Sequence, residues 1–178
     1  MNIHPLFVHF PIGLLAVYSL LEIGAYVLPV LRRQTWVFAV KAFLLFVGVL
    51  AAFVALATGG LAEKFVENGP AAFVLEVHAP FAATTTILYL ILASAYLIRI
   101  FDTEGWGKAI AGLSNPFIRI WSIKKYIAHI VLDTWLLPVV ALLALVSLTI
   151  TGALGAIIVY GPNIDPFVSF IFHLFWPA

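Results

Sequence analysis

The 178-residue chain is too apolar for a soluble globule, because hydrophobic types make up 64% of it and charged types only 10%. Soluble chains carry about 25% charged residues, so the solvent around this one is expected to be lipid. Its formal net charge of +1 gives no reason to expect nucleic acid as a partner. The chain has no cysteine, which excludes disulfides, iron–sulfur clusters, thiolate zinc sites and c-type haem attachment.

Four apolar segments are long enough to cross a bilayer, which takes about 20 mainly apolar residues. They cover residues 9–31, 36–58, 78–101 and 135–160, and proline, glycine or charged residues separate them. Their apolar runs are continuous rather than alternating, which favours helices over strands. The sequence therefore predicts an all-α fold, an integral membrane four-helix bundle that forms a single transmembrane domain over residues 1–178.

The basic residues predict how the bundle is oriented. Eight of the nine lysines and arginines, Lys108 among them, lie in or beside the first and third connections, and only Lys64 lies on the other side. Cytoplasmic loops of membrane proteins carry the excess of lysine and arginine. Both termini are therefore expected outside the plasma membrane, with the first and third connections in the cytoplasm.

Two shorter helices are predicted beside the four spans. Over residues 116–132 a polar, solvated stripe recurs at steps of three and four residues, formed by Arg119, Ser122, Lys125, His129 and Asp133. This pattern is typical of an amphipathic helix in the cytoplasmic interface, with Trp106 and Trp121 as anchors. Residues 166–176 form the other helix, which at about 15 Å is too short to cross and is expected on the outer surface or in the bundle mouth.

The histidines are the main candidates for a functional site, because ionisable groups at membrane depth are costly. His9 and His78 lie near the outer ends of the first and third spans, at matching depths, because those two helices run in the same direction. Two imidazoles that face each other across a bundle can bind the iron of a b-type haem from both sides. The alternative is that both histidines lie at the interface and bond loop carbonyls or water.

Three further polar residues are candidates on the same side. His4 precedes Pro5 and is expected either to cap the first turn or to support the site as a ligand or an outer-shell group. His173, in the C-terminal helix, is an alternative ligand, although an interfacial helix commonly carries such a residue. Lys64 is a candidate donor for the haem propionates.

Glu22 is a charged residue within the first span. It lies thirteen residues beyond His9, or about 20 Å deeper in the membrane. One interpretation is an ion pair with Arg99 or Lys41. The other is a functional role, as a proton relay or as the carboxylate of a quinone site.

The N-terminal run H-P-L-F-V-H-F-P-I-G, from His4 to Gly13, resembles the H-P-x-x-V-H-F-P signature of a bacterial membrane-protein family, the domain of unknown function 2231. Glu22, His78 and the small-residue stretch that leads from Thr151 to Tyr160 match further features of that family. The resemblance covers most of residues 4–161 and implies four transmembrane helices in a bacterial plasma membrane. This chain departs from the family at Ala156, where relatives carry a histidine, and in its C-terminal helix.

The resemblance also bears on function, because some relatives are joined to Rieske-type or cytochrome modules. It implies a membrane electron-transfer subunit that binds b-type haem, or interacts with quinone, near the outer face and works with other membrane or periplasmic redox subunits. Such a chain is an electron carrier or accessory subunit rather than a free-standing enzyme, and no nucleophile–base set is visible. The alternatives are a non-catalytic structural or assembly subunit of a larger complex and, third, a small proton or ion carrier.

Overall fold

A computed structural model describes residues 3–103 and 115–177, so Trp106 and Lys108 lie outside the described residues. In chain order the helices of these ranges are α1 (His4–Val27), α2 (Pro29–Arg32), α3 (Thr35–Ala62), α4 (Ala72–Thr103), α5 (Asn115–Asp133), α6 (Leu136–Tyr160) and α7 (Pro166–Phe175). Within the same ranges, four helices are long and apolar enough to cross a membrane, namely α1, α3, α4 and α6. The prediction of an all-α membrane bundle is confirmed.

The helix boundaries differ from the predicted spans, in α1 because prolines determine where the helix begins and ends. α1 begins at His4 rather than at residue 9, because Pro5 lies in the first turn, where a helix does not need its missing N–H. It ends at Val27, because Leu28 precedes a proline and takes an extended backbone with φ −111° and ψ 95°. α4 begins at Ala72, so His78 lies about 9 Å inside the helix instead of at its start.

The packing of the spanning helices places two of them, α1 and α4, at opposite corners of the bundle. α1 packs chiefly on α3 and also on α6, whereas α4 packs chiefly on α6 and also on α3. α1 and α4 therefore lie opposite each other across the bundle, and they run in the same direction. We call the end where both helices begin the histidine end, and the opposite end, which carries Glu22, Lys41 and Arg99, the charged end.

Helix α5 is bound to the charged end through part of its polar stripe, which the sequence predicts to be solvated. Arg99 of α4 donates a hydrogen bond to Asp133, and the Lys125 ammonium lies 2.6 Å from the Asp102 carboxylate. His129 Nδ1 lies 2.9 Å from the second oxygen of Asp133. Lys125 and Asp133 bond α4 because the end of that helix supplies charges of the complementary sign, whereas Arg119 and Ser122 are exposed as predicted.

The Asp133 ion pair predicts a pH-dependent contribution to stability. Burial raises the pKa of Asp133, but hydrogen bonds with Arg99 and His129 outweigh it and hold the pKa below its usual value of 3.8. A carboxyl group with a lowered pKa stabilises the fold above its unfolded pKa and loses that contribution as pH falls through the folded value. Because the side chain is 47% exposed, Asp133→Asn should cost no more than about 1 kcal/mol at neutral pH.

Thermal unfolding in detergent at neutral pH and well below pH 3.8 checks this prediction. At neutral pH the melting temperature of the wild type should be higher than that of Asp133→Asn. In acid the two melting temperatures should converge, because the wild-type carboxyl is then also uncharged. A difference that survives in acid would show that the pair does not stabilise the fold through charge.

Helix α7 begins as the sequence predicts, at Asp165 and Pro166. Asp165 Oδ1 accepts hydrogen bonds from the backbone N–H groups of Phe167 and Val168, at 2.8 and 2.9 Å, and so caps the helix. The apolar face of α7 packs its buried residues against the start of α4 and the end of α6. Of the two expected positions, the helix therefore takes the one against the bundle.

Candidate functional site

At the histidine end, residues of all four spanning helices surround a cavity of about 300 Å³. The cavity exists because small residues form much of its wall, among them Ala52, Ala55, Gly59, Ala82, Gly152 and Gly155. Protein interiors are close-packed and leave few voids larger than a water molecule. A void of this size in the middle of a bundle is typical of a ligand site.

His78 reaches this cavity from α4. A Cβ atom added at Gly155 of α6 would lie 3.4 Å from the Cε1 atom of His78, so the glycine leaves space for the imidazole. The backbone of Thr151 lies beside the ring. The buried Nδ1 atom faces Gly155 and the Thr151 backbone. A bound molecule in the cavity would therefore meet the other edge of the ring.

His4 reaches the same cavity from α1, on the other side of the diagonal. Its Nδ1 atom lies 3.1 Å from the Thr58 hydroxyl, which fixes the ring plane. A Cβ atom at Gly59 would lie 3.2 Å from its Cε1 atom, so a second glycine makes room for a second imidazole. His4 lies close enough to His78 for their charges to interact. His4 and His78 therefore line the same cavity from opposite helices.

His9, the predicted partner of His78, is placed differently. It lines the same cavity, but its side chain is exposed. Five residues separate it from His4, which turns it about 140° around the helix axis. His4 is half-buried and interacts electrostatically with His78, so it is the α1 histidine more enclosed at the cavity. The pairing of His9 with His78 stays a prediction.

The two remaining candidates lie outside the lining of this cavity. His173 is on the exposed face of α7, where its Nδ1 atom lies 2.8 Å from the Ser169 carbonyl oxygen four residues earlier. The structure thus gives His173 a local bond and no place at the cavity. Lys64 is exposed in the short 3-10 turn Glu63–Phe65, with its ammonium 5.4 Å from the Phe65 ring centroid. Since Glu63 lines the cavity, Lys64 lies beside its mouth.

Glu22 lies at the centre of the charged end, only 2% exposed. It accepts a hydrogen bond from Lys41 at 2.6 Å and another from the Tyr96 hydroxyl. Of the two expected cations, Lys41 is therefore the partner. A second cavity of about 520 Å³ opens beside this group, and its lining includes Arg99. A buried carboxylate next to a polar cavity can exchange protons with its surroundings.

Several residues with hydroxyl groups lie in the bundle interior and were not predicted as part of a site. Thr85 bonds Ser147 at 2.7 Å, and Tyr89 bonds Ser19 at 2.8 Å. The available signal is their spacing, because Thr85, Tyr89 and Tyr96 recur at steps of four and seven residues and so share one face of α4. Polar groups on one face of a spanning helix point to the bundle interior rather than to lipid.

The family model for "Predicted membrane protein (DUF2231)" matches residues 1–165. The chain belongs to the DUF2231 family. The matched region contains the four spanning helices and both cavities of this DUF2231 protein, whereas α7 begins at Pro166, directly after it. No curated protein and no solved structure shows significant similarity to the chain.

Proposed function

We propose that this DUF2231 protein is an electron-transfer subunit of the bacterial plasma membrane and that it binds b-type haem in the histidine-end cavity. His4 and His78 would ligate the iron. The observation that carries the proposal is that these imidazoles come from diagonally opposed helices and line one cavity. Two imidazoles are a complete axial ligand set in a helix bundle.

The surroundings of the two histidines fit such a group. Thr58 holds Nδ1 of His4, and metal-binding histidines usually bond a partner through the nitrogen that does not meet the metal. Gly59 and Gly155 leave both rings space. In the described part of the chain, no cluster of three or more His, Cys, Asp or Glu side chains could hold a bare metal ion. A pair of imidazoles would therefore suit a metal that brings its other ligands with it.

The cavity mouth fits the polar edge of the group. Tyr160 lines the cavity, and Lys64 lies beside the opening. A cation and a hydroxyl at this rim suit anionic propionates. Haem, when bound, supplies one-electron transfer. The distribution of basic residues favours the histidine end as the outer face, where other membrane or periplasmic redox subunits would exchange electrons with it.

A lipid-soluble quinone is the second candidate for the same cavity. The observation in its favour is that His78 lines the cavity, where its imidazole could donate to a quinone oxygen. The predominantly apolar small-residue walls would accommodate a lipid-like tail.

The reduced-minus-oxidised absorption spectrum of detergent-purified protein tests the haem proposal. We expect a Soret band and a visible α band that disappear in His4→Ala and in His78→Ala, because each removes one iron ligand. His173→Ala and His129→Ala serve as controls and should leave the spectrum unchanged. The elution profile and melting temperature of each variant show whether it is folded.

A second variant tests the cavity without touching either ligand. Gly155→Leu fills the space beside His78 and should abolish the absorption bands. Gly13→Leu is the control: no atom lies within 4 Å of a Cβ at this position, so the bands should remain. A folded wild-type protein that stays colourless after haemin addition overturns the haem proposal. If that protein instead carries an extractable quinone that His78→Ala lacks, the second candidate replaces the first.

A further inference from the structure

A short solid section separates the two cavities along the bundle axis. The histidine-end cavity reaches inward to Leu15 of α1, and the charged-end cavity begins at Glu22 of the same helix. Seven residues of helix correspond to about 10.5 Å. A group that passes from one cavity to the other therefore has to cross only about two helical turns.

The solid section carries hydroxyl groups in its interior. Tyr18, Ser19 and Tyr89 are all fully buried, at 0% exposure. Ser19 and Tyr89 share a hydrogen bond of 2.8 Å, and Tyr89 also lies 3.4 Å from the Leu15 carbonyl oxygen. The Tyr18 hydroxyl lies beside the Glu22 carboxylate and the Tyr96 hydroxyl, and its ring is edge-on to those of Tyr89 and Tyr96.

Further polar groups continue this series to both cavities. Thr85 lines the histidine-end cavity, bonds Ser147 and Thr151 at 2.7 and 3.1 Å, and lies one helical turn from Tyr89. At the other end, the Tyr96 hydroxyl donates to Glu22, which lines the charged-end cavity. We call the series Thr85, Tyr89, Ser19, Tyr18, Tyr96 and Glu22 the hydroxyl column.

We propose that the hydroxyl column conducts protons between the two cavities, with Glu22 as the exchange site. Each hydroxyl oxygen accepts a proton and releases the one it held to the next group, and single waters bridge the wider steps. Glu22 receives a proton from Tyr96, becomes a neutral carboxylic acid beside the Lys41 ammonium, and releases the proton to the charged-end cavity. No bond other than O–H forms or breaks, and the transmembrane potential drives the net movement.

The lining of the column favours protons over metal cations. A metal cation would need several oxygen ligands at each step to replace its hydration shell. Ser19 and Tyr89 instead offer one fully buried hydroxyl pair, joined by a hydrogen bond of 2.8 Å. The charged groups that line the same cavity as Glu22 are Lys41 of α3, Arg99 of α4 and Asp133 of α5, of which Lys41 bonds Glu22 directly. A proton moves through such a pair by exchange and needs no open space.

Proton flux into lipid vesicles tests the proposal. The purified protein is reconstituted with an entrapped pH-sensitive dye, and a potassium gradient with valinomycin sets the potential. The wild type should acidify or alkalinise the interior faster than protein-free vesicles do. Ser19→Ala and Tyr89→Phe each remove one column oxygen with little change of shape, and should bring the rate down to that of protein-free vesicles.

Two matched variants serve as controls. Ser94→Ala removes an exposed α4 hydroxyl that bonds only its own helix, and Tyr126→Phe removes an exposed hydroxyl on α5. Both should conduct like the wild type. Wild-type flux equal to that of empty vesicles, or equal losses in Ser94→Ala and Ser19→Ala, overturns the proposal. Since the readout is proton flux, the outcome does not depend on whether the protein shows a haem spectrum.

Discussion

Replacing Lys41 with methionine should lower the free energy of unfolding by about 3–5 kcal/mol. The substitution keeps most of the side-chain volume but leaves the Glu22 carboxylate, 2% exposed, without its cation. The Tyr96 hydroxyl would remain as a hydrogen-bond donor, which does not compensate a full charge. Removing one member of a buried ion pair is among the most destabilising single changes, because the other member stays desolvated.

The double variant Glu22→Gln/Lys41→Met separates pairing from packing. Because it removes both charges, it should be more stable than Lys41→Met, and the coupling energy follows from the four-member cycle. Unfolding in mixed micelles of mild detergent and dodecyl sulfate gives the four free energies. Lys64→Met, at an exposed lysine, is the control and should stay within about 0.5 kcal/mol of the wild type. The ion pair would be energetically unimportant if Lys41→Met were as mild as this control.

Gly48→Ala should lower the free energy of unfolding by about 1–3 kcal/mol through overpacking. An added Cβ atom would lie 2.5 Å from Cδ2 and 2.7 Å from Cγ of Leu15, across the contact between α3 and α1. Leu15 is fully buried in the central core, so displacing it disturbs the packing of the residues around it. The clash should therefore exceed the gain of about 1 kcal/mol that alanine has over glycine within a helix.

Gly13→Ala is the matched control on α1. Its Cβ atom would meet nothing within 4 Å, so only the helix preference acts, and the variant should equal or exceed the wild type in stability. The same micelle titration measures both variants, with opposite signs expected. Equal effects at the two glycines would contradict the close approach of α1 and α3.

Both proposed activities depend on the same diagonal between α1 and α4, at different depths. At the histidine end this diagonal leaves a cavity between His4 and His78. Farther along, the hydrogen bond between Ser19 and Tyr89 closes it. Variants of the histidines and of the hydroxyls should therefore affect the absorption spectrum and the proton flux separately.

The number and position of the spans could be predicted from the sequence, because hydropathy over about 20 residues is a local property. The same holds for the start of α7 at Asp165, since a cap and a proline act within a few residues. α1 begins at His4, five residues before the predicted membrane span, because Pro5 lies in its first turn. His78 is likewise deeper in α4 than the apolar run suggested.

The sequence by itself determined that this protein spans a membrane four times and which charged and histidine residues lie near each end. Only the tertiary structure decided that the half-buried His4 lines one cavity with His78, that Lys41 rather than Arg99 bonds Glu22, and that buried hydroxyls lie between the two cavities. The physical reason is that a continuous apolar run fixes the length of a helix but not its rotation about its own axis. Side-chain packing between helices sets that rotation and selects the diagonal pair, and those contacts join residues far apart in the chain.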